Sequence, residues 1–142
     1  MAKGDFALYD SRFTETRDKL IELESGVFDI LMDVLCFAAG LGFEKKYYME
    51  TEKSGQPTIK NVLDSYNSQI MAIAIAHESD PSIVTNKEEC YKIFSSYVNG
   101  GFEFIENLFE EKKLISNDDK IEELLLLVYE KAVQLKTTKK KN

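Results

Sequence analysis

One histidine, two cysteines and two prolines are all that 142 residues hold of those types, and glycine numbers only seven. Each scarcity removes a class of protein. Few prolines and glycines argue against a turn-rich all-β fold and favour long regular elements. Two cysteines, Cys36 inside an apolar run and Cys90 inside a helical pattern, read as packed thiols rather than a disulfide framework, which fits a reducing cytoplasm. With a single imidazole, any Ser–His–Asp or Cys–His mechanism has to pass through His77. His77 falls on an apolar stripe near a helix end, where it reads as a packed or capping residue. Glu78 and Asp80 beside it lack metal-ligand spacing, so neither a metal nor a cofactor is expected.

Positive charge is also in deficit. The net charge is −7 and the sequence pI about 4.8, so the average field repels a polyanion such as DNA. The one dense basic run, KTTKKKN at the C-terminus, reads as a solvated, frayed tail. A long apolar run is missing as well. The greasiest stretch, VFDILMDVLCFAAGLGF, carries Asp29 and Asp33 and is short for a membrane span. MAKGDFALYD lacks the apolar centre of a signal peptide. A cytoplasmic protein without membrane contact is therefore expected. The glycine runs GLG (residues 40–42) and NGG (residues 99–101) are not framed by a strand, a lysine and a hydroxyl residue, so neither is a phosphate cradle. The acidic runs FEEKK and KIEELL read as solvated helix faces with i,i+4 pairing, not as convergent carboxylates.

What remains is helical periodicity over a length that can bury a core without metal or disulfide. Asp10 or Ser11 caps a first helix running to about Glu24, with Phe13, Leu20 and Leu23 as its apolar positions. Val27 to about Leu41 reads as a central helix, apolar on nearly every side, with Gly42 as its C′ residue. The stretch EKKYYMETEKSGQPT reads as a loop or a short extended excursion. Pro57 opens the next helix, whose stripe is Val62, Tyr66, Ile70, Ile73 and His77. Thr85 and Glu88 have capping-box spacing for the helix after it. That helix meets SSYVNGGFEF, where two glycines and an asparagine interrupt the pattern. The stripe Phe94, Val98, Gly101, Ile105, Leu108 and Phe109 nevertheless keeps its phase across the interruption. A continuous or slightly kinked helix is expected, with a C-capped break at Asn99–Gly100 as the alternative. Two interior glycines cost about 1 kcal/mol each relative to alanine, so a close helix contact should offset them. Ser116 or Asn117 caps a final helix, from about Asp118 to Lys136, with more leucine than one contact needs. The expected architecture is all-α: one compact domain over residues 1–136, a bundle of about five helices around the central apolar helix, with 137–142 as a flexible basic tail.

Two blocks carry a resemblance. One is LMDVLCFAAGLGFEKK. The other is IAIAHESDPSIV running into IFSSYVNGGFEFI. Phe37, Ala38, Ala39 and Gly42, then Tyr97, Asn99, Gly100 and Gly101, resemble the recurrent features of a small bacterial family, the dnd system-associated proteins, fourth of that series. The resemblance covers roughly residues 27 to 110. Its genes lie beside DNA phosphorothioation clusters, in which sulfur replaces a backbone oxygen, and this implies a role in antiviral defence or restriction. It implies no catalytic residues.

The expected function is a non-enzymatic accessory protein working through protein contacts, with partners from a neighbouring operon or a second copy of itself. Asn99, Gly100 and Gly101 are candidates for a packing or docking feature. Leu126, Leu127 and Tyr129, on the exposed part of the last helix, are candidates for the interface. The alternative is a nucleic-acid module using Lys45, Lys46, Tyr47, Tyr48 and the C-terminal lysines. A small enzyme acting through His77 is a third reading.

Overall fold

The structure, a computed structural model, describes residues 4–22 and 31–127. Over these residues the fold is all-α apart from one small strand pair. In chain order it comprises β1 (Phe6–Ala7), α1 (Thr14–Glu22), α2 (Leu31–Lys45), β2 (Pro57–Thr58), α3 (Lys60–Ser65), α4 (Asn67–Glu78), α5 (Lys87–Glu111) and α6 (residues 117–127). Single 3-10 turns, Ser11–Phe13 and Pro81–Thr85, lead into α1 and α5.

The core forms where α2 lies against α5, with α4 and α1 packed around them. Val34, Leu35, Ala38, Ala39 and Leu41 of α2 are buried, as are Ile93, Phe94, Val98, Phe102 and Ile105 of α5. Helix α5 runs unbroken through Asn99–Gly101, and the break at Asn99–Gly100 does not occur. The cause is visible at the crossing. A Cβ on Gly101 would fall on the Ala38 carbonyl, and a Cβ on Gly100 on the Tyr47 carbonyl. One on Gly42 would meet the Tyr97 carbonyl and come within 2.9 Å of the Gly101 nitrogen. The two glycine-bearing blocks are therefore the two sides of one backbone contact, and the dispersion gained there offsets their poor helix propensity.

Gly42 is thus not the end of α2. It sits inside the helix, at the crossing, and the chain turns at Lys46 instead, with φ 62. The Lys46 N–H bonds the Phe43 carbonyl and the Tyr47 N–H bonds the Gly42 carbonyl at 2.8 Å. This is a Schellman closure with lysine in the left-handed position that glycine usually takes. Lys113, φ 53, closes α5 in the same way through Leu114 N–H to the Phe109 carbonyl.

Other boundaries also differ from expectation. Pro57 lies in β2, paired antiparallel with Ala7, rather than at a helix start, and α3 begins at Lys60. A proline tolerates a short edge strand because its missing N–H faces away from the ladder. Tyr66, at φ −105 and ψ 18, separates α3 from α4, so one expected helix is two. The N-cap of α5 is Asn86, whose Oδ1 accepts from Glu89 N–H, and Thr85 belongs to the preceding 3-10 turn. Asp10 does cap the turn into α1, and Ser116 Oγ accepts from Asp119 N–H at the start of α6. The start of the expected central helix, Val27 to Ile30, and residues 128–142 lie outside the described residues.

Candidate interaction surface

The left-handed Lys46 decides where the side chains after α2 point. With Lys46 left-handed, Tyr47 and Tyr48 leave the helix end in different directions. The Tyr47 ring meets Phe104 edge-on, with centroids 5.6 Å apart, and Lys45 Nζ lies 5.4 Å from the same Phe104 ring. The Tyr48 ring lies flat on His77, centroids 4.9 Å apart and planes 6° from parallel. Tyr97 stands edge-on to both and its hydroxyl meets His77 Nδ1 at 2.7 Å. Phe43, in the last turns of α2, packs edge-on against Tyr97 at 5.3 Å. Tyr97 is buried, whereas Phe43, Tyr48 and His77 are exposed. Burial pushes the Tyr97 phenol up, and the neighbouring Tyr48 adds to it. The result is a fixed aromatic face on a tyrosine floor, assembled from α2, the following loop, α4 and α5. A hollow of about 470 Å³ opens beside Tyr48, lined in part by Glu50, Glu89, Lys92 and Ser96.

Asn99 keeps the loop in place. It is fully buried. Its Oδ1 accepts from Asp10 N–H at 2.7 Å, and its Nδ2 donates to the Met49 carbonyl and to Thr51 Oγ1, both at 2.9 Å. A buried amide with three partners holds geometry that neither neighbour could hold alone. Asp10 extends the clamp, because its carboxylate accepts from the backbone N–H groups of Arg12, Glu52 and Lys53. Burial is the largest single influence on that carboxyl and raises its pKa. The three N–H donors and the Arg12 guanidinium together outweigh it and hold the group below the ordinary carboxylate value.

The residues singled out from the sequence separate into three places. Asn99, Gly100 and Gly101 lie inside, under the loop that carries Tyr47. Lys45, Lys46 and Tyr47 lie at the surface above them. Leu126 and Leu127 belong to α6, which the Lys112–Glu123 ion pair ties to the far end of α5. Lys112 is about 16 Å along the helix from Gly101 at 1.5 Å per residue. Leu126 is exposed, and Leu127 packs partly against the core beside buried Leu124. Tyr129 lies outside the described residues.

His77 stands in the last turn of α4, as expected, but it packs at the surface, against Tyr48 and Tyr97, rather than in the core. It is exposed, its ring is stacked, and Ser79 in the left-handed conformation ends α4. The sequence reading missed the pairing of His77 with Tyr48 and Tyr97, which are 29 and 20 residues away in the chain. Periodicity reports only which face a residue occupies and carries no trace of a ring stack across elements. Arg17 was missed for the same reason. It is buried, and it reaches the Tyr9 hydroxyl and Asp18. Among the described residues no group of three His, Cys, Asp or Glu side chains is placed to hold a metal ion. No described helix is long and apolar enough to cross a membrane.

These features define an all-α domain that carries an exposed aromatic face on a close-packed helix crossing. The chain belongs to the family of DNA sulphur modification system-associated protein 4, which it matches over residues 12–142. Of the motif residues behind the resemblance, Ala38 and Gly42 on one side and Tyr97 and Gly101 on the other meet at that crossing, Gly100 lies against the Tyr47 backbone, and Asn99 holds the loop. No curated protein and no solved structure matches the chain.

Proposed function

We propose that the protein is a non-catalytic accessory component of a DNA sulphur modification system, acting in defence or restriction by docking onto a protein of the same system. The observation that carries this reading is the parallel Tyr48–His77 stack on the Tyr97 floor. Exposed aromatic side chains already held in one geometry lose little entropy on binding, which is what an interface anchor needs. Membership of a family described as associated with a DNA sulphur modification system supports a partner from that system. Tyr47 and Lys45 are engaged with Phe104 rather than aligned with Tyr48, so two consecutive bases do not find two parallel platforms there. This weighs against the nucleic-acid reading.

The test is co-expression of the tagged chain with the proteins encoded beside it, followed by affinity capture and sizing. The expected result is a defined complex that Tyr48→Ala and His77→Ala weaken without unfolding the chain. Leu126→Glu serves as the comparison for the surface of α6, where a second copy would dock. Capture that neither aromatic substitution weakens would refute the aromatic face as the interface. Binding to DNA that falls with rising salt and is lost in Lys45→Ala would favour the alternative.

A further inference from the structure

The two sides of helix α6 are used differently. On one, Leu124 is fully buried, and Ile121 and Leu127 pack partly against the core. Lys112 Nζ holds Glu123 at 2.8 Å, and Lys120 Nζ lies 5.7 Å from the Phe109 ring. These contacts fix which way the helix faces and leave the opposite side bare. Leu125 and Leu126 stand there, 50% and 47% exposed. Glu122 and Asp118 lie at the surface about one and two turns earlier on the same side. No salt bridge among the described residues involves either carboxylate. Two adjacent half-exposed leucines, on a helix that already has its core contact, exceed what one copy of the chain can cover.

The sequence carries the same stripe further. At 3.6 residues per turn it takes in Tyr129, Val133, Lys136 and Lys140. In order, the stripe is acidic, then apolar, then basic. About Tyr129 it is symmetric in apolar residues and antisymmetric in charge. Leu125 and Val133 stand four residues to either side, Glu122 and Lys136 seven, and Asp118 and Lys140 eleven.

We propose that two copies of the chain pair along this stripe, antiparallel, about a two-fold axis beside Tyr129. Each Glu122 then faces Lys136 of the second copy, each Asp118 faces Lys140, and each Leu125 covers Val133. A two-fold contact needs a patch that complements itself, and opposite charges at equal distances from an apolar centre meet that need. Parallel pairing would instead set Glu122 on Glu122 and Lys136 on Lys136. The apolar residues drive association, while exposed ion pairs add little affinity and set the direction. The net charge of −7 repels two copies at long range, so a local match of sign is what such a contact requires. Neither Tyr48 nor His77 takes part, so the pairing stands whichever partner the aromatic face takes.

Sedimentation equilibrium of the full chain over a range of concentrations should show a monomer–dimer equilibrium of 16.3 kDa chains. Leu125→Glu alters an exposed residue, so circular dichroism should report an intact fold, yet every dimer contains the change twice. At about ten-fold for each copy, the dimer dissociation constant should rise about a hundred-fold. Glu122→Lys alone and Lys136→Glu alone should each dimerise more weakly than wild type, because each brings like charges together twice. An equimolar mixture of those two variants should regain the wild-type affinity, because opposite signs face each other again. A chain that stays monomeric at millimolar concentration, a dimer untouched by Leu125→Glu, single charge reversals without effect, or a mixture no tighter than either variant alone would each overturn the proposal. So would a dimer lost in Tyr48→Ala, which would put the contact on the aromatic face.

Discussion

Gly101→Ala is the sharpest probe of the helix crossing. At an exposed helix position, replacing glycine with alanine stabilises by about 1 kcal/mol through backbone entropy alone. At Gly101 the new methyl group meets the backbone of Ala38, not the end of a flexible side chain. Backbone cannot swing aside, so α2 must move off α5 and loosen contacts along both helices. Overpacking of this kind costs roughly 1–3 kcal/mol, and here it must also cancel the entropic gain. Direct overlap with a backbone carbonyl puts the cost in the upper part of that range, about 2–3 kcal/mol, so after the entropic gain the net expectation is a loss of about 1–2 kcal/mol, a fall in Tm of about 3–7 °C for a chain of this size. Urea unfolding followed by circular dichroism measures it, with Ala76→Gly, at an exposed position of α4, calibrating the propensity contribution in the same protein. Gly42→Ala inserts its methyl group into the same gap, so the double substitution should cost less than the sum of the two singles. A Gly101→Ala chain as stable as wild type, or more stable, would refute the claim that backbone proximity holds these glycines in place.

Asn99→Ala removes the acceptor for Asp10 N–H and the donor for the Met49 carbonyl, and it should cost about 2 kcal/mol in urea unfolding, with faster amide exchange in residues 47–53. Asp10 has a depressed folded-state pKa. Its contribution to stability is therefore complete above the unfolded value of about 4 and is lost as pH falls through the lower folded value, and Asp10→Asn should flatten the acid limb of a stability–pH curve. Glu106 is the opposite case. Its folded pKa is raised, so stability is fully present below the unfolded value and declines as pH rises through the folded one. Glu106→Gln should consequently be more stable than wild type at neutral pH and gain nothing below about pH 4. Lys46→Gly should stabilise by up to about 1 kcal/mol, because glycine adopts the left-handed turn without strain.

The α-helical class and the buried stripe of α5 were legible in the order of residues because a 3.6-residue repeat of hydrocarbon side chains survives any change of neighbours. Phase carried the reading through Gly100 and Gly101, and Asp10 and Ser116 announced helix starts through local chemistry alone. Boundaries were less legible. Gly42 looked like a terminator, since glycine ends helices by its own flexibility, but the crossing needed it inside α2 and a strained lysine took over the ending. Pro57 looked like a helix start until pairing with Ala7, 50 residues earlier, drew it into a strand. The candidate surface was hardly legible at all. Tyr48, His77 and Tyr97 lie in three separate stretches, and nothing local to any of them specifies a ring stack. The chain's own order of apolar and polar residues thus determined that helices form and which faces they bury. Only the tertiary structure decided how closely two of them approach and which distant side chains meet, because those outcomes depend on backbone-to-backbone distance, which no single residue encodes.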